Sequence, residues 1–282
     1  MTTLVSTWKI AANGALQKLE QPDARPQTLN AASLLLPEGV YTTFRTYAGG
    51  KIQPLEGHIR RLEESARLLG QPLALDRERI LDALRRAYPL TPGEEARVRL
   101  TVDLSREPGA VYLSLEPLAL PTGEDYRRGV RVATCPYRRE NPRAKRTAFI
   151  RVGEEFRREL PPGTNECLLV GEDGRILEGL SSNFFAWLRG ELWTAEQGVL
   201  AGLIRARVLE AARALGLPVR LEGLPQTALP ELQEAFITSS SRLILPVRQV
   251  DEVVVGGGAP GAVTQRLMKV IEEEVRRDLV AL

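Results

Sequence analysis

Residues 171–183 read GEDGRILEGLSSN. Asp173-Gly174 is a two-residue hairpin signal, because both residue types accept the positive φ of a type I′ turn. The apolar ECLLV (Glu166–Val170) runs into this turn and RILEGL (Arg175–Leu180) runs out of it. Two strands therefore flank the turn, and the second carries Glu178 among Ile176, Leu177 and Leu180. A buried carboxylate without a partner is costly. Taken alone, Glu178 reads as an edge-strand residue facing water.

The chain has 282 residues, long enough for two modest domains with a core each. Apolar residues make up 43% and the formal charge is +2, so the composition is that of a soluble globular protein and offers no case for nucleic acid. No apolar run approaches the ~18–20 residues needed to span a bilayer, and the N-terminus lacks a basic-then-apolar leader. Cys135 and Cys167 have no metal-ligand spacing. No disulfide framework is expected of them, which fits a reducing cytoplasm. The single histidine, His58, argues against a His-based metal site, and no metal is expected.

Outward toward the N-terminus, residues 4–20 read as a hairpin around Asn13-Gly14. Residues 21–39 are Pro-rich and read as irregular. Residues 40–55 form a second hairpin around Gly49-Gly50. Leu55, Ile59, Leu62, Ala66 and Leu69 recur at helical spacing, and Gly70 and Pro72 end that helix. Asp76 caps a second helix that buries Ile80, Leu81, Leu84 and Ala87. ARVRLTVDLS (96–105) alternates as a strand with one wet face, and AVYLSLEPL (110–118) pairs with it. Residues 1–118 are thus a small α+β domain. Residues 119–126 read as a linker and 127–282 as a larger domain. The latter holds a strand at GVRVATCPY, a helix near 148–160, the hairpin above, a turn at Arg189-Gly190, a helix over 203–215, further strands and a terminal helix over 264–279.

E-G-x-S-S-N-F-F (Glu178–Phe185), after a D-G hairpin and with Lys145 upstream, resembles the class IV (fold type IV) pyridoxal-phosphate enzymes. These include branched-chain aminotransferases, D-amino acid aminotransferases and aminodeoxychorismate lyases. The resemblance runs from about Trp8 to the C-terminal helix and rests on the order of five motifs. It implies an α+β fold of two domains, a smaller N-terminal α/β sandwich and a larger C-terminal pseudo-barrel. It implies pyridoxal 5′-phosphate as cofactor, with Lys145 as the Schiff-base lysine and Glu178 on the pyridine nitrogen, where a carboxylate keeps the ring protonated. Arg61, in H-x-x-R-L, matches the arginine that grips the phosphate, a group that a planar guanidinium suits. Leu203 and Ile204 match the L-x-G-I-T-R segment whose amides cup the phosphate at a helix start. Ser240 completes that cup, and Ser241, Arg45 and Arg99 match places that can meet the substrate carboxylate.

The sequence also departs from the family pattern. Ile204 stands for a threonine and Thr42 for the glutamate of F-E-x-x-R. Ala148 and Phe149 stand where an asparagine follows the lysine. Ile150 stands where branched-chain enzymes carry a tyrosine, and the arginine-x-histidine of D-amino acid aminotransferases is absent after Arg106. The resemblance implies an aminotransferase moving an amino group between an amino acid or amine and a 2-oxo acid, with small amino and keto acids as partners and a homodimer as the assembly. It leaves open an aminodeoxychorismate lyase, releasing pyruvate by β-elimination, and a non-catalytic binding protein on the same fold.

Overall fold

A computed structural model describes residues 5–20 and 26–282. By contacts the chain divides into two units. The first holds everything up to Ala119, with Ala144–Val152 and Asp278–Leu282. The second holds Leu120–Arg143 and Gly153–Arg277. The division expected from the sequence is 1–118 and 127–282; contacts group the segment bearing Lys145 with the N-terminal unit. Its backbone runs beside a strand of that unit, with Tyr41 N donating to Lys145 O and Thr147 N to Gly39 O.

In the first unit, β1 (Ser6–Ile10) and β2 (Leu16–Lys18) form the first hairpin. β3 (Gly39–Tyr47) and β4 (Lys51–Ile52) form the second, its turn at positive φ on Gly49 and Gly50. β5 (Ala96–Asp103) and β6 (Val111–Pro117) complete the sheet, and β17 (Val280–Ala281) adds to β4. The antiparallel order is β17-β4-β3-β5-β6-β1-β2. Val40, Phe44, Val98, Leu100 and Leu113 share one face, since Val40 pairs with Val102, Phe44 with Val98 and Leu100 with Leu113. That face forms one core with Ile59 and Leu62 of α2 (Glu56–Leu68) and Ile80 and Leu84 of α3 (Arg77–Ala87), as the helical spacing demands. The Asp76 side chain caps α3 by accepting from Arg79 N.

Two expectations for this unit are corrected. Residues 26–39 are not all irregular, because α1 (Leu29–Ser33) forms behind a Thr28 N-cap; residues 21–25 lie outside the described part. β5 has no wet face. Arg99, Thr101 and Asp103 are buried, and α1 supplies acceptors for the Arg99 guanidinium at Leu29 O, Ser33 Oγ and Asn30 Oδ1. Alternation alone does not distinguish water from a polar lining.

The first helix of the second unit is α4 (Gly123–Arg128), which begins within the stretch read as linker; Thr122 and Asp125 close a capping box there. The strands are β7 (Val130–Pro136), β8 (Thr164–Val170), β9 (Arg175–Gly179), β10 (Asn183–Leu188), β11 (Glu191–Trp193), β12 (Val219–Arg220), β13 (Leu224–Pro225), β14 (Glu234–Ser239), β15 (Leu243–Val250) and β16 (Val253–Val254). The helices are α5 (Ala148–Glu159), which begins in the first unit, α6 (Leu203–Ala214) and α7 (Ala262–Asp278). Pairing runs β10-β14-β15-β7-β8-β9, and β9 returns to β10 through Glu178 opposite Asn183. Six strands thereby close into the barrel-like core expected, lined by Val132, Leu168, Phe184, Ile237 and Leu245.

The hairpin that opens the sequence reading exists, but not as a type I′ turn. Only Gly174 has positive φ, Gly174 N donates to Gly171 O, and Gly171 N donates to Arg175 O. This is the three-residue loop, a type I turn followed by a left-handed glycine. The cysteine expectation is also corrected: Cys135 and Cys167 are joined in a disulfide between the adjacent strands β7 and β8. Ladder partners Ala133↔Cys167 and Cys135↔Leu169 put both on one face, with Cα atoms 6.2 Å apart. Among the described residues no helix is long and apolar enough to cross a membrane.

Candidate active site

In the first unit, α2 presents His58 and Arg61 on one face, three residues apart. Thr42 on β3 lies beneath them. Arg61 Nη2 donates to Thr42 Oγ1 over 2.6 Å, and Thr42 Oγ1 lies 2.7 Å from His58 Nδ1. Burial, then the charges of Arg61 and Lys145, hold the His58 imidazole well below its ordinary range. Arg61 Nη2, which can only donate, stands 3.4 Å from the same Nδ1, so that nitrogen is placed as an acceptor with Thr42 as its nearer donor. Burial also lowers the Arg61 guanidinium to about 10. Its Nε is buried with no acceptor. Among the described residues no carboxylate pairs with it.

Ser65, one turn along α2, ties Arg61 to Lys145. Its hydroxyl donates to Arg61 O over 2.6 Å and accepts from Lys145 N over 3.1 Å. Lys145 Nζ lies 4.7 Å from the centroid of the Tyr41 ring, and the Arg99 guanidinium lies 4.6 Å from the same centroid. The structure thus brings together two residues 84 positions apart in the numbering, Arg61 and Lys145. Ile150, at the place of the missing tyrosine, is buried.

In the second unit Glu178 is not at a wet edge. It is 2% exposed and accepts from Arg139 Nη1 at 2.8 Å, from Asn183 Nδ2 at 3.2 Å and from Leu200 N at 3.0 Å. These donors stabilise the ionised form. Leu200 lies just before α6, whose N-cap is Gly202 and whose first turn has no acidic residue. The amides of Leu203 and Ile204 precede any i−4 helical acceptor. The Ile204 side chain is buried, so what this residue can offer a ligand is its backbone amide. Arg205 anchors the turn to Ala195 O and Glu196.

Ser240 and Ser241 occupy the turn between β14 and β15, half-buried. Arg242 holds this turn. It bonds Ser239 Oγ, Asn165 Oδ1, Ser181 Oγ and the buried Glu166 carboxylate. Burial alone would raise the Glu166 carboxyl, but Arg242, Arg157 and the Ser181 hydroxyl together hold it below the usual range.

The two remaining sequence assignments fare differently. Arg45 is paired with Glu95 at 3.2 Å and lies over the Tyr47 ring. Arg99 is 4% exposed and donates to Thr43, Leu29, Ser33 and Asn30. Arg99, expected to meet the substrate, directs these donors to groups of its own unit.

Residues 39–250 match the model of the family described as Amino-transferase class IV. The chain belongs to this family. It is an enzyme of the class IV aminotransferase type. A putative branched-chain-amino-acid aminotransferase of Methanocaldococcus jannaschii is 28% identical over 276 residues, covering 92% of this chain and 93% of that one. A probable branched-chain-amino-acid aminotransferase of Thermotoga maritima is 30% identical over 84% of this chain and 86% of its own. A crystal structure of a putative branched-chain amino acid aminotransferase from Thermotoga maritima superposes with a TM-score of 0.76, at 28% identity and 96% coverage of both chains. A T.th. branched-chain amino acid aminotransferase, crystallised with pyridoxamine 5′-phosphate, shares the fold at 22% identity, a TM-score of 0.77 and coverage of 100% of this chain and 99% of that one.

Sequence reading of this aminotransferase missed the parts played by Arg139, Tyr41, Thr42 and Asn183. Arg139 lay hidden in a run of arginines, RRENPRAKR. Only a requirement that a buried Glu178 have a cationic partner pointed to it. Asn183 ended the opening stretch and carried no chemical signal of its own.

Proposed function

We propose that this aminotransferase uses pyridoxal 5′-phosphate to move an amino group between an amino acid and a 2-oxo acid. The observation that carries the reading is Arg61: a half-buried guanidinium with an unsatisfied Nε and, among the described residues, no carboxylate beside it. Such a group demands an anion, and a phosphate meets that demand. The buried Glu178 carboxylate and the acid-free first turn of α6 fit the same ligand.

When bound, the cofactor supplies a sink for the electrons left as the substrate's α-proton departs. The chain's residues do the rest. The Lys145 amine holds the cofactor covalently and, once released, carries the proton away from the substrate's α-carbon. Glu178 keeps a proton on the ring nitrogen. Arg61, the Leu203 and Ile204 amides and Ser240 bind the phosphate. The Ser241 end of the same turn takes the substrate carboxylate. Arg45 has its charge matched by Glu95 and is left out of this set.

The relatives' names put branched-chain amino acids first in a donor screen. Ile150, in place of the tyrosine, is the reason to include aminodeoxychorismate, where pyruvate formed without an amino acceptor marks a lyase. We further assign a homodimer, which sedimentation of the purified protein tests. The central experiment is the visible spectrum of the protein with added pyridoxal phosphate, before and after borohydride, for wild type and Lys145→Ala. A reducible band in the wild type alone is expected. A band retained in Lys145→Ala moves the attachment to another lysine, and no band in either protein sinks the cofactor reading.

A further inference from the structure

β9 and β10 meet through one residue pair, Glu178 opposite Asn183, and that pair closes the six-stranded ring. Directly opposed side chains stand close enough to touch, and the Asn183 amide donates to the Glu178 carboxylate. The same Nδ2 donates to Leu200 O over 2.9 Å, while Leu200 N donates to Glu178 Oε2 over 3.0 Å. Both polar groups of Leu200 are therefore held by this one side-chain pair. Leu200 stands two residues ahead of Gly202, where α6 begins. Gly202 has φ −71° and ψ 140°, a conformation open to any residue. What requires glycine there is Asn183: a Cβ on Gly202 would lie 2.0 Å from Asn183 Oδ1. The asparagine thus meets the loop at two points, one attractive and one steric.

We propose that Asn183 is a positioning residue that fixes the α6 N-terminus to Glu178, so that the carboxylate assigned to the ring nitrogen also sets where the phosphate-binding amides lie. This rests on the cofactor reading above. A loop of this kind otherwise chooses among conformations at little cost. Two hydrogen bonds from the barrel's closing pair remove that choice. The clamp acts on the phosphate end of the ligand, through the Asn183 contacts to Glu178 and Leu200.

The test compares pyridoxal phosphate with pyridoxal, which lacks the phosphate, on apoprotein of wild type, Asn183→Ala and Gly202→Ala. Asn183→Ala should weaken pyridoxal phosphate on the order of tenfold or more, as loss of an anchoring hydrogen bond or two implies, and pyridoxal by about twofold or less. Gly202→Ala, whose new methyl displaces Asn183, should do the same, and should add little in an Asn183→Ala background. In apoprotein the amides of residues 198–203 should exchange hydrogen faster in either variant. Equal losses for the two ligands, or unchanged affinity for pyridoxal phosphate, overturn the inference. Should Asn183→Ala not fold, Gly202→Ala decides alone. A wild type that binds neither ligand sinks the cofactor reading itself; the exchange rates then decide whether the clamp exists.

Discussion

The Glu178 carboxylate and the Arg139 guanidinium meet at 2.8 Å in the interior of the second unit, both almost wholly shielded from water. Two charges taken out of water together need each other's field, because the loss of hydration is otherwise uncompensated. The pair explains how a strand that must be buried to close a barrel tolerates a glutamate. It also keeps that glutamate ionised, the state in which it can hold a proton on a ring nitrogen.

Glu178→Ala removes one half of this pair. Turnover should fall by roughly 10²–10³-fold, the scale of losing a preorganised charge in a shielded site. Folding stability should fall by about 3–5 kcal/mol, because Arg139 is left buried without its counter-charge. Steady-state rates and urea denaturation of the apoprotein read the two effects separately. Full turnover in the variant would reject the ring-nitrogen role.

Arg61→Ala should raise the dissociation constant for pyridoxal phosphate by about 10–100-fold, the worth of one or two charge-assisted hydrogen bonds. Arg61→Lys, which keeps the charge but loses the planar fork, should weaken binding in the same direction and by less. Fluorescence titration of the apoproteins measures both. Unchanged affinity in Arg61→Ala would remove the phosphate assignment.

His58 makes stability fall in mild acid. Its folded-state pKa is depressed, so below about pH 6.5 the unfolded chain binds a proton that the folded chain does not. Its contribution is complete above that pH and is lost as pH falls toward the depressed value, at up to ~1.4 kcal/mol per pH unit. Denaturation at three pH values between neutral and mildly acidic should give a steeper decline for wild type than for His58→Gln. Equal slopes would show that another group sets the dependence.

The Cys135–Cys167 disulfide closes a loop with a sequence separation of 32. Reduction should cost about 3–4 kcal/mol on the chain-entropy estimate for a loop of that size. Thiol titration of the denatured, unreduced protein should find no free thiol, and melting with and without reductant should differ. Two free thiols at the outset would contradict the pairing.

Much of this protein was legible in its sequence because local patterns carry local structure. The 3.6-residue spacing of Ile59, Leu62 and Ala66 set α2 whatever lay elsewhere, and Asp76 marked the start of α3. The order of H-x-x-R-L, Lys145, E-G-x-S-S-N, the L-x-G segment and the serine turn identified the family. Alternation in β5 was read rightly as a strand and wrongly as half-wet, since the chain segment that covers its polar face lies some seventy residues upstream.

The tertiary structure alone decided the partners of each charge. Arg61 reaches Thr42 and not an acid, Arg99 turns inward to α1, Glu178 finds Arg139, and Asn183 holds Leu200. Helical and strand periods say which side of an element a residue occupies, a property of the backbone within a few residues. Which charge faces which, and whether water lies between them, depends on elements tens of residues apart. An electrostatic environment is a sum over neighbours in space, and the sequence orders those neighbours along a line.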